Sequence, residues 1–344
     1  MQSFLVEAKE VTAFQWEAGL EDFCYSLFIT REWVESMQDG ASSPLFIDFI
    51  SKGEVVGKLS GLIIDGGWMK GKYFHAYASL ALKEPNQQLF DACHVALKDL
   101  LTKMRLSRII IGSYDQQHSM RCTSEGFVVT KRYEYLVNPG AEDFRMSKGF
   151  KKNVKKAENR GVFLDISDSE ASLQKLFQLL ELTRKYRLIK YNVRYNPFFL
   201  DKMNESSLRK LLKSGMVSFF SVKSDDGTTN SVQLNLVKGD RVYGLLMGSD
   251  LVAYEYGIPS YLDFQIILDS ARRDIKYYNT GGAPGDKVNE GLDRYKQAMG
   301  GQKKWVYGAT TNCLVFPYSL LNPLMKLGRR LPQNNVLVDW IKNW

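Results

Sequence analysis

The chain has 344 residues, enough for two domains of ordinary size, and its 44% apolar and 24% charged content is that expected of a soluble globular protein. No apolar run approaches the roughly 18–20 residues that a helix needs to cross a bilayer, so no membrane-spanning helix is expected. The net charge of +8 admits an anionic partner, whether nucleotide phosphate, CoA, tRNA or an acidic membrane surface, without choosing among them.

The beginning, MQSFLVEAKEV, lacks a basic stretch followed by an apolar core, so no signal peptide is expected. Phe28–Gln38 reads as an aromatic lead-in and a short helix capped by Thr30, with Trp33 turned inward. Leu45–Ser51 and Val55–Ile64 form a hairpin around Lys52-Gly53-Glu54, and Tyr73–Tyr77 is a short aromatic strand. Asn86–Met104 carries Leu89, Phe90, Cys93, Leu97, Leu100 and Leu101 at helical spacing. Arg108–Gly112 is a buried strand, Gln116–Glu125 a helix ended by Gly126, and Phe127–Val137 another strand. Asn138-Pro139-Gly140 punctuates the chain, and the first domain is placed at residues 1–140.

The second half, residues 141–310, repeats this succession, which implies a duplicated fold. Phe144–Arg160 is a basic helix with Arg145, Lys148, Lys151, Lys152, Lys155, Lys156 and Arg160, followed by Gly161 and a strand over Val162–Ile166. Such a run is either a solvated face or a phosphate contact. Helices are expected over Ser169–Tyr186 and Phe198–Ser214. Met216–Val222, Ser231–Val237 and Arg241–Met247 then form a meander, and Tyr261–Asp274 a helix. Residues 311–344 are a tail expected to pack on the first domain. Its Leu320, Leu321, Leu324 and Leu327 beside Lys326, Arg329 and Arg330 also suit an anionic membrane surface.

A histidine-based metal site or a Ser-His-Asp triad is not expected: His75, His94 and His118 show neither HExxH nor HxH spacing. The four cysteines lack CxxC spacing and read as reduced core fillers, as in a cytoplasmic protein. The stretch Tyr277–Tyr307 (YYNTGGAPGDKVNEGLDRYKQAMGGQKKWVY) is different. A strand ends at Gly281-Gly282, where the missing Cβ atoms let backbone approach a ligand. A polar loop, Ala283–Asn289, leads to a short helix carrying Tyr295 and Lys296, closed by Gly300-Gly301. The alternative is a plain strand-turn-helix with a solvent-facing lysine.

This stretch resembles the C-terminal signature of the Fem-type (FemAB-like) aminoacyl and acyl transferases, in which strand-GG-loop precedes an aromatic-Lys pair on a helix. The resemblance implies an α/β (α+β) fold of two tandem GNAT-like acyltransferase domains. It covers roughly Phe144–Gly308, including the lysine-rich helix from Ser147 and the phrase KYNVRYNPFF. There Arg194 stands where the family contacts the acceptor, with Phe198 at the aromatic position. In Gly248–Ser260 the glycine-rich pyrophosphate loop of GNAT enzymes is replaced by Tyr254, Tyr256, Gly257 and Pro259, a tyrosine-rich substitution that Fem-type proteins share. Trp33 fits an aromatic-Trp phrase of the first domain, though Glu35 and Ser36 follow where relatives binding nucleotide-linked precursors carry a lysine.

The resemblance implies acyl or aminoacyl transfer from acyl-CoA or aminoacyl-tRNA, as co-substrate, to an amino group of a cell-envelope precursor, either an amino sugar or a peptidoglycan stem. The acceptor would be a small, lipid-linked or nucleotide-linked molecule. No tightly bound cofactor, metal or DNA is expected, and the protein would be cytoplasmic, with peripheral contact at the inner face of the membrane. Lys296 and Tyr256 are the candidate catalytic residues. Arg194, Tyr254, Gly281, Gly282, Tyr295 and Trp33 are the candidate substrate contacts. As an ammonium, Lys296 would stabilise an oxyanion; as a base it would need burial to lower its pKa. A non-catalytic scaffold, binding tRNA or a membrane surface through the same basic faces, is the alternative.

Overall fold

The computed structural model describes residues 4–191, 196–284 and 290–330. They divide into two compact units, Met1–Lys131 with Val306–Trp344, and Arg132–Trp305.

The first unit contains β1 (Glu7–Val11), α1 (Ala13–Glu17), α2 (Arg31–Met37), β2 (Ser42–Ser51), β3 (Glu54–Asp65), α3 (Gly67–Lys70), β4 (Lys72–Ala76), β5 (Ala81–Leu82), α4 (Gln87–Lys103) and β6 (Ile109–Ile111). Its sheet runs β1-β2-β3-β4-β6, and β5 pairs with β3. Beside β6 lies the strand Gln302–Thr311, antiparallel, with Ala309 opposite Ile111. The β2–β3 hairpin turns through Lys52 and Gly53, both at positive φ (52° and 83°). A two-residue loop of that hand matches the twist of the flanking strands. Thr30 Oγ1 accepts from Trp33 N at the start of α2, and Asn86 Oδ1 accepts from Leu89 N at the start of α4. Cys93 and Cys122 are buried, and burial pushes their thiols up to about 12 and about 11, so both are inert packing groups at neutral pH.

Gln116–Glu125 is not a helix. The side chain of Gln116 is committed elsewhere: its Oε1 accepts from Tyr307 N at 2.6 Å and its Nε2 donates to Met120 O at 3.2 Å. Asp115 sits at φ 51° while its carboxylate accepts from Leu27 N. Long-range hydrogen bonds here override the local helical spacing.

The second unit takes the later part of β7 (Phe127–Val137) and continues with α5 (Lys148–Glu158), β8 (Phe163–Ser167), α6 (Glu170–Tyr191), α7 (Glu205–Lys213), β9 (Val217–Lys223), β10 (Thr229–Lys238), β11 (Arg241–Ser249), α8 (Leu251–Tyr256), α9 (Ile258–Arg272), β12 (Tyr277–Pro284) and α10 (Glu290–Ala298); most of β13 (Gln302–Thr311) and all of α11 (Asn322–Arg330) belong to the first unit. The strand order is β7-β12-β11-β10-β9-β8. Every pair is antiparallel except β11–β12, which is parallel. Phe150, Val154 and Ala157 of α5 and Leu262, Ile266 and Ile267 of α9 share a core with Phe220, Val222, Val242 and Tyr278 of the sheet.

Three sequence readings of this unit change. α7 begins at Glu205 rather than Phe198, because Asn196 Oδ1 accepts from Phe198 N and Asn204 supplies the real cap. Asn196-Pro197 is thus a turn. The link at Gly248–Ser260 holds a helical turn of its own, α8, capped by Asp250 and ended by Gly257 at φ 74°. α9 then starts at Ile258, with Pro259 in its first turn, where a missing N–H costs nothing.

Candidate active site in the second unit

The parallel ladder between β11 and β12 comprises only Arg241–Tyr243 against Tyr277–Asn279, although the two strands continue to Ser249 and Pro284. β12 pairs with β7 from Tyr278 onward and past Asn279 keeps that partner alone, with a register shift between Asn279 and Gly282. The paired glycines make that departure possible. Gly281 lies at φ +67°, and a Cβ on Gly282 would fall 1.5 Å from Tyr133 O. No side chain fits there, so strand β12 can lie this close to β7 only as glycine.

Lys296 of α10 projects to this point. It is 8% exposed, its Nζ donates to Thr280 O at 2.5 Å, and a Cβ on Gly281 would be 4.0 Å from Nζ. Burial lowers its pKa to about 8, against the opposing pull of Asp263 and Glu134. Tyr295, the preceding residue, donates its hydroxyl to Asp263 Oδ2 at 2.6 Å. Asp263 Oδ1 accepts from Tyr278 Oη at 2.8 Å, and Tyr278 Oη in turn accepts from Gln233 Nε2 at 2.5 Å. Burial pushes the Asp263 carboxyl up to about 6, while its two tyrosine donors and the Lys296 charge hold it down. Both tyrosine hydroxyls are raised well above 10 by the same burial and the same carboxylate, so they stay protonated.

A second buried carboxylate, Glu134 of β7, accepts from Arg132 Nη1 at 2.5 Å, Asn279 Nδ2 at 2.9 Å and Tyr243 Oη at 3.3 Å. The result is an amine held near its titration range, with a buried carboxylate on α9 and another on β7 biasing it from a distance. Among the described residues Lys296 forms no ion pair, and no group of His, Cys, Asp and Glu is arranged to hold a metal. Such an amine can stabilise an oxyanion as ammonium or exchange a proton with a reacting amine.

Gly281, Gly282, Tyr295 and Lys296 therefore come together. Tyr254 and Tyr256 lie on α8. Tyr254 is 53% exposed. The Tyr256 ring faces the cations of α5, with Arg160 Cζ 4.7 Å and Lys156 Nζ 5.7 Å from its centroid. The described contacts thus tie Tyr256 to the basic helix. Arg194 lies outside the described residues. Trp33, in the first unit, is fully buried against Phe28 and Tyr77 (4.5 and 5.5 Å between ring centroids), and its Nε1 has no hydrogen-bond partner among the described residues.

Asp263, Glu134, Tyr278 and Gln233 were not singled out from sequence. A signal existed for two of them. Asp263 interrupts the apolar run of YLDFQIIL, and Glu134 sits between two tyrosines in a strand whose neighbours are buried.

Residues 145–297 match the acetyltransferase (GNAT) domain family. Among solved structures, FemX has a TM-score of 0.68 at 14% identity, covering 93% of this chain and 99% of its own. L-PGS from Bacillus licheniformis has a TM-score of 0.58 at 14% identity, with 98% and 99% covered. A conserved protein of unknown function from Bacteroides thetaiotaomicron VPI-5482 has 0.56 at 9%, with 90% and 100% covered. Comparison with curated proteins finds no match. The chain therefore has the α/β, Fem-type GNAT-like fold that its sequence resembles, and the buried amine of Lys296 lies within the stretch that matches the GNAT domain.

Proposed function

We propose that the protein is an N-acyltransferase that moves an acyl or aminoacyl group from acyl-CoA or aminoacyl-tRNA to an amino group of a cell-envelope precursor, an amino sugar or a peptidoglycan stem. The observation that carries this reading is Lys296, a buried amine with pKa lowered to about 8 and no ion pair among the described residues, beside the glycine pair of β12. Attack of an acceptor amine on an ester or thioester carbonyl forms a tetrahedral anion. In this reading the Lys296 ammonium meets that charge; collapse breaks the C–S or C–O bond, and the proton lost by the attacking nitrogen ends on the leaving sulfur or tRNA oxygen. No covalent enzyme intermediate is needed, because both substrates meet in one site.

The match of residues 145–297 to the GNAT family and the FemX-like fold of the whole chain support the class of reaction. The exposed cations of α5, including Lys148, Lys151, Lys152, Lys155 and Lys156, support a polyanionic donor. Arg194 remains a candidate acceptor contact, whereas Trp33, fully buried in the first unit, does not. Contact with the inner face of a membrane through the C-terminal stretch belongs to the same proposal; Leu320, Leu324 and Leu327 are exposed there, and no described helix is long and apolar enough to cross a bilayer.

The test is a donor panel with the purified full-length chain. Consumption of an acyl-CoA or an aminoacyl-tRNA in the presence of an amine acceptor, abolished in Lys296→Met, is expected. Turnover of neither donor with any amine, or turnover indifferent to Lys296, overturns the proposal.

A further inference from the structure

We propose that α3 and the segment Phe316–Leu327 form one composite face that docks on an anionic bilayer, with Trp68 as its anchor. This deepens the membrane contact proposed above for the C-terminal stretch and rests on that reading. Six large apolar side chains stand exposed there: Trp68 and Met69 of α3, Phe316, and Leu320, Leu324 and Leu327. Trp68 is 87% exposed, whereas Trp16 and Trp33 of the same unit are fully buried. A four-residue helix that gives its largest side chain to solvent gains nothing from it in the free protein.

Two pieces of chain far apart in sequence are tied into this one patch. Ser107 Oγ lies 2.6 Å from Lys70 O and 3.0 Å from Lys72 O, donating to the end of α3. The carbonyl of the same serine accepts from Leu314 N at 2.7 Å. Gly71, at φ +66°, takes the Tyr318 ring against its backbone, and a Cβ there would lie 2.6 Å from two of the ring carbons. Asn322 Oδ1 accepts from Cys313 N at 2.8 Å and Asn322 Nδ2 donates to Cys313 O at 2.9 Å, which clamps the start of α11. Met325 turns inward onto Cys313, 3.6 Å between the sulfurs. Leu320, Leu324 and Leu327 follow at intervals of four and three along the short 3-10 turn Tyr318–Leu321 and α11, so they share a face beside that buried stripe.

The charge of the patch indicates what covers it. Gly66–Tyr73, Met104–Ser107 and Cys313–Arg330 carry Lys70, Lys72, Arg105, Lys326, Arg329 and Arg330, and no carboxylate. Lys72, Arg105 and Lys326 are exposed. The carboxylate that precedes α3, Asp65, accepts from Gly67 N at 2.9 Å. Apolar side chains among cations of one sign suit a lipid surface: the former enter the boundary between headgroups and acyl chains, and the latter meet lipid phosphates. Indole favours that boundary, because its body is apolar and its N–H wants a polar partner. A second copy of a chain carrying +8 is repelled by the charge that draws the lipid.

Co-sedimentation of the full-length chain with vesicles tests this. Vesicles of phosphatidylglycerol and phosphatidylcholine in equal parts should bind it, and vesicles of phosphatidylcholine alone should bind it about 10-fold or more weakly. Trp68→Ser, and separately Leu324→Ser/Leu327→Ser, should each weaken binding to the mixed vesicles by about 10-fold or more. These side chains are exposed, so thermal unfolding should show both variants folded as the wild type is. Changing Lys151, Lys152 and Lys155 of the second unit to Gln should leave vesicle binding within about twofold.

Absence of binding to the mixed vesicles, equal binding to neutral ones, or binding that Trp68→Ser leaves untouched overturns the inference. A wild-type dimer that Trp68→Ser converts to a monomer, seen by light scattering, assigns the face to a second copy and also overturns it. Turnover of a soluble amine acceptor should be the same in the wild type and both surface variants, and Lys296→Met should bind vesicles as the wild type does. Failure of the vesicle test therefore leaves acyl transfer standing, and failure of turnover leaves the docking face standing.

Discussion

Each unit of the protein buries a lysine, and the two are held in opposite ways. Lys58 of β3 is 3% exposed, pairs with Asp48 at 3.0 Å, donates to Trp16 O at 2.8 Å, and lies over the rings of Phe23 and Trp16. Lys296 of α10 is nearly as buried, but its bond among the described residues is to a backbone carbonyl, and its pKa falls to about 8. Burial of a charge is tolerated when a counter-charge and hydrogen bonds replace water. Where the counter-charge is withheld, the amine is left ready to respond to a charge that develops in a ligand. Lys58 ties a hairpin to α1; under the proposed function Lys296 is the amine kept for chemistry.

Substitution by methionine, which keeps the stem and removes the charge, should break this comparison in opposite directions. Lys58→Met strands Asp48 in the interior and should destabilise the protein by about 3–5 kcal/mol, read from chemical denaturation. Lys296→Met should lower kcat by about 10²–10³-fold, the size expected for removing one group that stabilises an oxyanion. Its stability should rise at pH 7. A pKa lowered from 10.5 to about 8 means that the unfolded chain holds the proton more tightly over that window, so wild-type stability climbs as pH rises from about 8 to 10.5. Removing the amine relieves up to roughly 3 kcal/mol, offset by about 1 for the Thr280 carbonyl that loses its donor. Equal destabilisation by both substitutions would show that Lys296 is structural.

Asp263→Asn sharpens the same contrast by changing the field around Lys296 without touching it. The Asp263 charge raises the Lys296 pKa, so its removal should move the alkaline limb of kcat from about 8 to lower pH, measured as a pH–rate profile. The wild-type carboxyl, raised from 3.8 to about 6, contributes stability that is fully present below 3.8 and is lost as pH rises through 6. Thermal unfolding of the variant should lack that acidic dependence. An unchanged limb would separate Asp263 from the chemistry.

The smallest effect concerns the solvated charges of α5. Lys151, Lys152 and Lys155 changed together to Gln should alter stability by less than about 0.5 kcal/mol each. If tRNA is the donor carrier, the slope of log affinity against log salt should fall by roughly one per lysine that meets a phosphate. A slope that does not move removes this helix from donor binding.

Much of this was legible in the chain, and the reasons differ by residue. Asn86 followed by six apolar positions at helical spacing determined α4, and Lys52-Gly53 between branched runs determined the hairpin, because both depend on neighbours in sequence. Gly281-Gly282 and the Tyr295-Lys296 pair could be singled out because they are local features, although the strand expected to end at the glycines runs through them to Pro284, still paired with β7. The helix expected at Gln116–Glu125 failed because Gln116 is bound to a residue 191 positions away. Asp263, Glu134, Gln233 and Asn235 carry no local mark strong enough to join them. They lie on one helix and two strands, and only the folded sheet joins Asp263, Gln233 and Asn235 through Tyr278 and sets Glu134 against Tyr243 and Asn279. The sequence alone thus determined which residue types were present and where the backbone could turn. Tertiary structure decided which lysine is neutralised and which is left desolvated, because a pKa depends on what surrounds the amine and not on what precedes it in the chain.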